Sequence, residues 1–406
     1  MEVFRRLALK SNAAFKGKTF FIAETGALYA CGNNFSGQLG LGDGSNRLTL
    51  TSVPLEESVK TVVTGSGSTY VLTVSGALYA CGLNDYGQLG FGDSQIRSTL
   101  TRVPLEESVK TVVIGNSSIY VVAVNGALYA CGYNGFGQLG LGDSHSRSTL
   151  QRVPLEESVT AVAIGSNCIF VSTDDGALYA CGYNVFGQLG LGSICQPTLR
   201  RVPVTERAKT VVTSDYSLFV LTVSGALYAC GNNAYGQLGL VDKKRRDALV
   251  RVPIDEVIEN IVTAGNSTFV VTVSGTAYAC GDNQFGQLGI GDRHNRSGLR
   301  RVPLEEEVVT VSSDNGSTFI LTGNGALYTC GSNNYGQLNL GDTEERLNFV
   351  RSPLNEAVKT VAISLFSTYV VTVNDTLYAC GYNDRGKLGL GDDQNRNTLT
   401  PLPLLS

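Results

Sequence analysis

Ten cysteines, two histidines and rings of repeated Asn, Gln, Asp and Arg are the side chains of this chain that could carry chemistry. Eight of the cysteines keep one spacing. Cys31, Cys81, Cys131, Cys181, Cys230, Cys280, Cys330 and Cys380 follow one another at steps of 50 residues, with a single step of 49 between Cys181 and Cys230. A disulfide needs Cα atoms within about 7 Å. Equivalent positions of packed sheets lie roughly 10 Å apart. The eight therefore read as reduced, small core residues of an intracellular protein, each an apolar contact. Cys168 and Cys195 stand outside the register. Cys195, beside Pro197 in an irregular loop, is the expected exposed thiol, with Cys168 next. His145 and His294 sit in one variable loop of units three apart, and neither has a nucleophile or metal partner at a suitable spacing. No phosphate-binding glycine loop leads into a helix. No catalytic residue, metal ligand or cofactor is expected, and no catalytic chemistry of the protein's own.

The repeated amides admit a ligand-binding reading, but a residue needed once for chemistry would not recur in every unit. Asn34, Asn84, Asn134, Asn184, Asn233, Asn283, Asn333 and Asn383 hold one position. Gln38, Gln88, Gln138, Gln188, Gln237, Gln287 and Gln337 hold another, where the eighth unit has Lys387. Buried amides in a tight Gly-rich loop satisfy backbone groups that would otherwise go unpaired. Charged residues recur too. Asp43, Asp93, Asp143, Asp242, Asp292, Asp342 and Asp392 are each followed four residues on by Arg. Arg102, Arg152, Arg201, Arg251, Arg301 and Arg351 each precede a proline by two positions, with acidic pairs such as Glu106-Glu107 beyond. Both sets are expected to form solvated pairs between neighbouring units.

The elements that position these residues follow from one unit. Val59–Thr64 is short and β-branched, a strand. Gly65 to Ser68 is a turn, Thr69–Val74 a second strand, and Ser75-Gly76 a two-residue hairpin connection. Ala77–Cys81 is a third strand, with Ala77, Tyr79 and Cys81 on one face and Leu78 and Ala80 on the other. A Gly-punctuated loop leads to a fourth strand, Thr99–Pro104. No helical period occurs. Four short antiparallel strands per unit make a propeller blade, and stacking on neighbours buries the faces that one unit cannot. The fold class is all-β: a single β-propeller of eight contiguous four-stranded blades over residues 9–406, after a short lead of residues 1–8. The alternative is seven blades with the N-terminal unit set aside, because residues 11–18 diverge most.

Composition narrows the function. Hydrophobic residues make up 43% and charged residues 16% of the 406, with a net charge of -4, so the chain is globular. Nucleic-acid or nucleosome binding by bulk charge is not expected, since it needs a basic face. MEVFRRLALKSN carries no signal-peptide pattern. No run of 18 apolar residues exists, so no membrane span is expected. The expectation is an intracellular, cytoplasmic or nuclear monomer.

The run ALYACGYNGFGQLGLGD at 127–143 and its seven relatives resemble the repeats of the regulator of chromosome condensation family, whose blades carry a Tyr-x-Trp-Gly-x-Asn-x-x-Gly-Gln-Leu-Gly run. Cys replaces the Trp throughout. A family His before the second strand is replaced by Ser68, Ser118, Cys168, Ser217, Ser267, Ser317 and Ser367, with Lys18 in the first unit. The family has seven blades; eight units are counted here. The resemblance implies a β-propeller that binds proteins, and it raises guanine-nucleotide exchange on a small GTPase as an alternative. In that case the loop before the second strand would supply an acid, and only Asp215, followed by Tyr216, falls there; Asp314 is one residue earlier. No unit carries an inserted wedge. The family's ultraviolet receptor works through Trp, which is absent.

Residues shared by all units make the fold, so those that differ are the candidates for a site. Asn116, Asn167, Asp215, Tyr216, Asn266, Asn315 and Phe366 vary from loop to loop on one expected face, with Asp314 beside them, and suit protein recognition. The fifth unit adds Lys243, Lys244, Arg245 and Arg246, next to an anomalous fourth-unit loop one residue short. These are the predicted partner-binding residues of a protein-interaction scaffold.

Overall fold

The computed structural model describes residues 12–15 and the chain from 17 to 402. The expected lead, residues 1–8, lies outside the described residues. Eight four-stranded antiparallel sheets follow one another, each built from consecutive strands. The only helical residues among those described are a single turn, Asp384–Gly386. Blade 1 spans 12–52 and blade 8 spans 358–401. The seven-blade alternative is overturned: Asn12–Phe15 pairs with Lys18–Ile22 and completes a first blade.

Blade 2 shows why the sequence folds this way. Its strands are Val59–Thr64, Ser68–Thr73, Leu78–Gly82 and Arg97–Arg102. The second strand is buried along its whole length, so both its faces are apolar or neutral. Two boundaries differ from the sequence reading. The hairpin spans three residues, 74–76: Thr73 N donates to Ala77 O at 3.0 Å, and Gly76 closes the turn at φ +88. That is the three-residue connection with glycine in the left-handed position. The fourth strand begins two residues early, at Arg97, because the ladder shifts register between Ala80 and Gly82. Gly82, at φ +100, sits where a Cβ would lie 2.2 Å from Gly67 O. No other residue fits there.

The core lies between blades rather than within them. Leu72, Leu78 and Ala80 of blade 2 share one cluster with Val109, Ile119, Val121 and Cys131 of blade 3, and every neighbouring pair of blades repeats the arrangement. All eight register cysteines sit in these seams, fully buried. They are more than apolar contacts. Seven of the thiols donate to the carbonyl of the preceding blade's Gln, as Cys131 Sγ does to Gln88 O at 3.5 Å. The last link closes the ring, from Cys31 Sγ to Lys387 O at 3.5 Å. Among the described residues, no strand is shared between blades 1 and 8. Thr19 Oγ1, within 3.0 Å of Lys387 O and 2.9 Å of the Tyr369 hydroxyl, and the bridge of Thr49 with Leu390 close the ring instead. Burial pushes the thiols of Cys31, Cys81 and Cys280 up to about 12.

Candidate protein-docking face

Antiparallel order puts the loops after the first and third strands of every blade on one face. The repeated amides hold those loops. Asn84 Oδ1 accepts from Leu89 N at 2.8 Å, its Nδ2 donates to Asp93 O at 2.9 Å, and Gln88 Oε1 accepts from Tyr86 N at 2.9 Å. The Asp–Arg pairs also lie inside the loops and do not join neighbouring units as expected. Asp93 and Arg97 pair at 2.8 Å across their own turn. Four residues of separation close this loop, and the side chains never reach the next blade. Nor do the acidic pairs meet the arginines before the prolines. On the opposite face Glu57 accepts instead from Tyr79 Oη at 2.7 Å, and Glu157 from Tyr179 Oη at 2.7 Å. The tyrosine stands beside Arg102 in the ladder and takes the carboxylate first.

On this face the first-strand loops surround the mouth of the central channel, where a cavity of about 320 Å³ is lined by Ser66, Asn116, Ser166, Asp215 and Gly265 among others. Asn116 and Asp215 are exposed there. Asp215 O accepts from Ser166 N at 3.0 Å, tying blade 5 to blade 4. Asn315 is exposed, at φ +47. Three predicted residues serve the loops as well as the surface. Asn167 is half-buried at φ +57, with its carbonyl held by Tyr183 N. Asn266 Oδ1 accepts from Gln237 Nε2 of blade 5 at 3.1 Å. Asp314 Oδ2 accepts from Leu365 N of blade 8 at 2.8 Å, and burial raises its carboxyl above the usual range.

The aromatic residues form the largest feature of the face. Tyr86 meets Tyr133 at 5.1 Å between ring centroids, Tyr133 meets Phe136 at 6.2 Å, and Phe136 meets Tyr183 at 5.1 Å. Tyr183 meets Phe186, and Phe186 meets Tyr216 at 4.8 Å. The row crosses blades 2 to 5 in edge-on or tilted contacts, the favoured geometry of aromatic pairs. Tyr86 is 47% exposed and Phe136 37%. A second group joins Phe366 to Tyr335 and Tyr382. Sequence reasoning found Tyr216 and Phe366 but missed the row. Its signal is present: an aromatic before the Gly of the loop motif, and Tyr at the variable position of Cys-Gly-x-Asn in units 3 and 4.

Lys243, Lys244 and Arg245 are exposed beside the row's end. Arg245 donates to Val185 O at 3.2 Å and pairs with Asp247 at 3.3 Å. Arg246 is held by Asp242 at 2.7 Å, so among the described residues the two lysines are the cations of this run without an ion pair. Cys195 is half-exposed, whereas Cys168, expected to be next most accessible, is 2% exposed and pushed up to about 12 by burial. It occupies the inward position that Ser holds in six other blades and Lys18 in blade 1. Among the described residues, no three His, Cys, Asp or Glu side chains converge as a metal site. No described helix is long and apolar enough to cross a membrane.

Propeller, loop motif and repeat length together define the class, and the chain belongs to the regulator of chromosome condensation (RCC1) family. The RCC1-like domain matches residues 145–405, and the RCC1 repeat matches residues 25–72, 75–122 and 59–88. No curated protein matches the chain. Among solved structures, human WBSCR16 is similar at 21% identity and TM-score 0.66, over 84% of this chain and 96% of its own. Yeast RCC1 (Prp20), bound to Kap60, is similar at 17% identity and TM-score 0.64, over 89% of each chain. Prp20p from Saccharomyces cerevisiae, described with its binding to Gsp1p and histones, is similar at 18% identity and TM-score 0.63, over 86% and 90%. At these identities the likeness is one of fold.

Proposed function

We propose that this protein is a docking scaffold without catalytic chemistry of its own, and that it binds another protein on the face that carries the channel mouth. The observation that carries this reading is the aromatic row from Tyr86 to Tyr216, half-exposed on a rigid ring. Tyr and Phe lose little conformational entropy when buried and dominate protein interfaces. The polar residues Asn116 and Asp215 beside the row, with Asn315 further round the same face, would set specificity. Ten free cysteines fit a reducing, intracellular setting. Partner capture by the full chain tests the reading. Phe136→Ala with Tyr183→Ala should weaken binding about thirtyfold or more, since truncating a hot-spot aromatic costs ~2 kcal/mol or more. Val124→Ala, 68% exposed on the opposite face, should leave binding intact. The reverse pattern would move the docking face.

The second reading is nucleotide exchange on a small GTPase. Its support is Asp215 at the channel mouth and the binding of Gsp1p described for Prp20p. Exchange needs residues that displace nucleotide, with no covalent step. Stimulated nucleotide release from a panel of small GTPases, lost in Asp215→Ala, would favour it over the scaffold.

A further inference from the structure

In a ring of near-identical seams, the one that is differently filled identifies itself. At one level, six of the seven seams whose residues are described bury an aliphatic pair, such as Leu72 with Val109 and Leu221 with Ile258. Between blades 4 and 5 the same two positions are Ser172 and Ala208, and both are half-exposed. Two neighbours on the same face of blade 4 are also truncated. Ala161 stands where five blades have Thr, and Ala163 where blades 2, 3, 5 and 6 have Val, a position that is also small in blades 7 and 8, as Ser312 and Ala362. Four reductions in size converge on one place and leave a cavity of about 380 Å³. The cleft is open, and it leaves the apolar surface of its alanines in contact with water. Three of the four, Ala161, Ser172 and Ala208, occur in no other described blade at their positions.

The walls say what would fill it. Ala161, Ala163, Ala208 and Val211 are apolar, while Ser172 and Thr210 offer hydroxyls. At the mouth stands Arg207, where blades 2 to 4 have Ser. Its stem lies across Gly176, whose missing Cβ would be 3.0 Å from Arg207 Cγ. Among the described residues Arg207 has no ion-pair partner, and the acids near it are engaged: Glu259 pairs with Lys209 at 2.9 Å, Glu206 accepts from Tyr228, and Asp175 accepts from Thr173. Neither Asp174 nor Asp175 lines the cavity. We infer that the seam between blades 4 and 5 is a binding site for a small carboxylate with an aliphatic body, its carboxylate on Arg207 and its chain against the alanines and Val211. The volume lies at the lower end of small-ligand pockets, about 300–1,000 Å³. The site is distinct from the docking face and does not depend on that reading.

Octanoate and neutral 1-octanol, titrated calorimetrically into the full chain, test the site. The wild type should bind one octanoate saturably and more tightly than octanol. Arg207→Ser should weaken octanoate about tenfold or more, the loss of a charge-assisted contact, and leave octanol unchanged. Ser172→Leu with Ala208→Val restores the residues of the other seams. It should abolish binding of both probes and raise the melting temperature without ligand. Absence of saturable octanoate binding to the wild type overturns the inference, and so does equal binding to the filled variant. Should the filled variant fail to fold, an octanoate affinity unaffected by Arg207→Ser overturns it alone.

Discussion

Lys387→Gln should make the protein more stable at neutral pH, and the advantage should vanish in alkali. Lys387 occupies the position that seven blades give to Gln, and it is 3% exposed. Its ammonium donates to Leu365 O at 2.7 Å and lies 4.6 Å from the Tyr382 ring centre. Burial dominates and lowers its pKa from 10.5 to about 8, against the opposing pull of Asp384 and Asp314. The unfolded chain therefore binds the extra proton between pH 8 and 10.5, and stability rises with pH across that window. Below pH 8 the buried charge is a constant cost, about 3 kcal/mol at 1.36 kcal/mol per unit. Glutamine removes that cost and restores the Oε1 acceptor that Gln88 supplies to its loop, but it forfeits the charged hydrogen bond to Leu365 O, worth ~1.5 kcal/mol or more. The variant should gain ~1–2 kcal/mol at pH 7. Between pH 7 and 9.5 the wild type should recover ~2 kcal/mol relative to it. Urea denaturation at both pH values measures the gap. A gap that stays constant with pH would refute the assignment of Lys387 as a buried, charged lysine.

Native alkylation at pH 8 should label Cys195 alone. A thiol raised to about 12, such as Cys81 or Cys168, is about one part in 10⁴ thiolate at that pH, some three powers of ten below an ordinary thiol. Rapid native labelling of register cysteines, read by peptide mass spectrometry, would mean that the seams are open. Gly82→Ala should destabilise by more than ~3 kcal/mol, because left-handed strain adds to a 2.2 Å clash with Gly67 O. Gly192→Ala, at φ +89 with nothing within 4 Å, should cost only the strain, ~1–2 kcal/mol; equal losses in denaturant titrations would discount the clash. Tyr120→Phe should cost ~1 kcal/mol by the same measurement, since it removes the 2.8 Å bond to Gln138 O but leaves that carbonyl its partner Cys181. A neutral result would mean that the phenol contributes packing alone.

The repeat made the architecture legible without coordinates. A 50-residue period with Cys at its register, β-branched runs of five or six residues and Gly-punctuated loops admit few folds, because each unit must bury both faces on its neighbours. The amides at Asn84 and Gln88 were legible for the same reason: a role repeated in every blade is a role in the fold. Pairing across space was not. Whether Asp93 reaches the next blade or turns back to Arg97 depends on loop curvature, and Glu57 chooses Tyr79 over Arg102 because strand register puts the phenol first. Only the tertiary structure assembled Tyr86, Tyr133, Phe136, Tyr183, Phe186 and Tyr216 into one row, since residues in different units become neighbours only when consecutive blades pack. It alone brought Ser172 and Ala208 together at one seam. Sequence periodicity states which positions are equivalent; which of them touch is set by the rotation from blade to blade, and that rotation is a property of the packed ring.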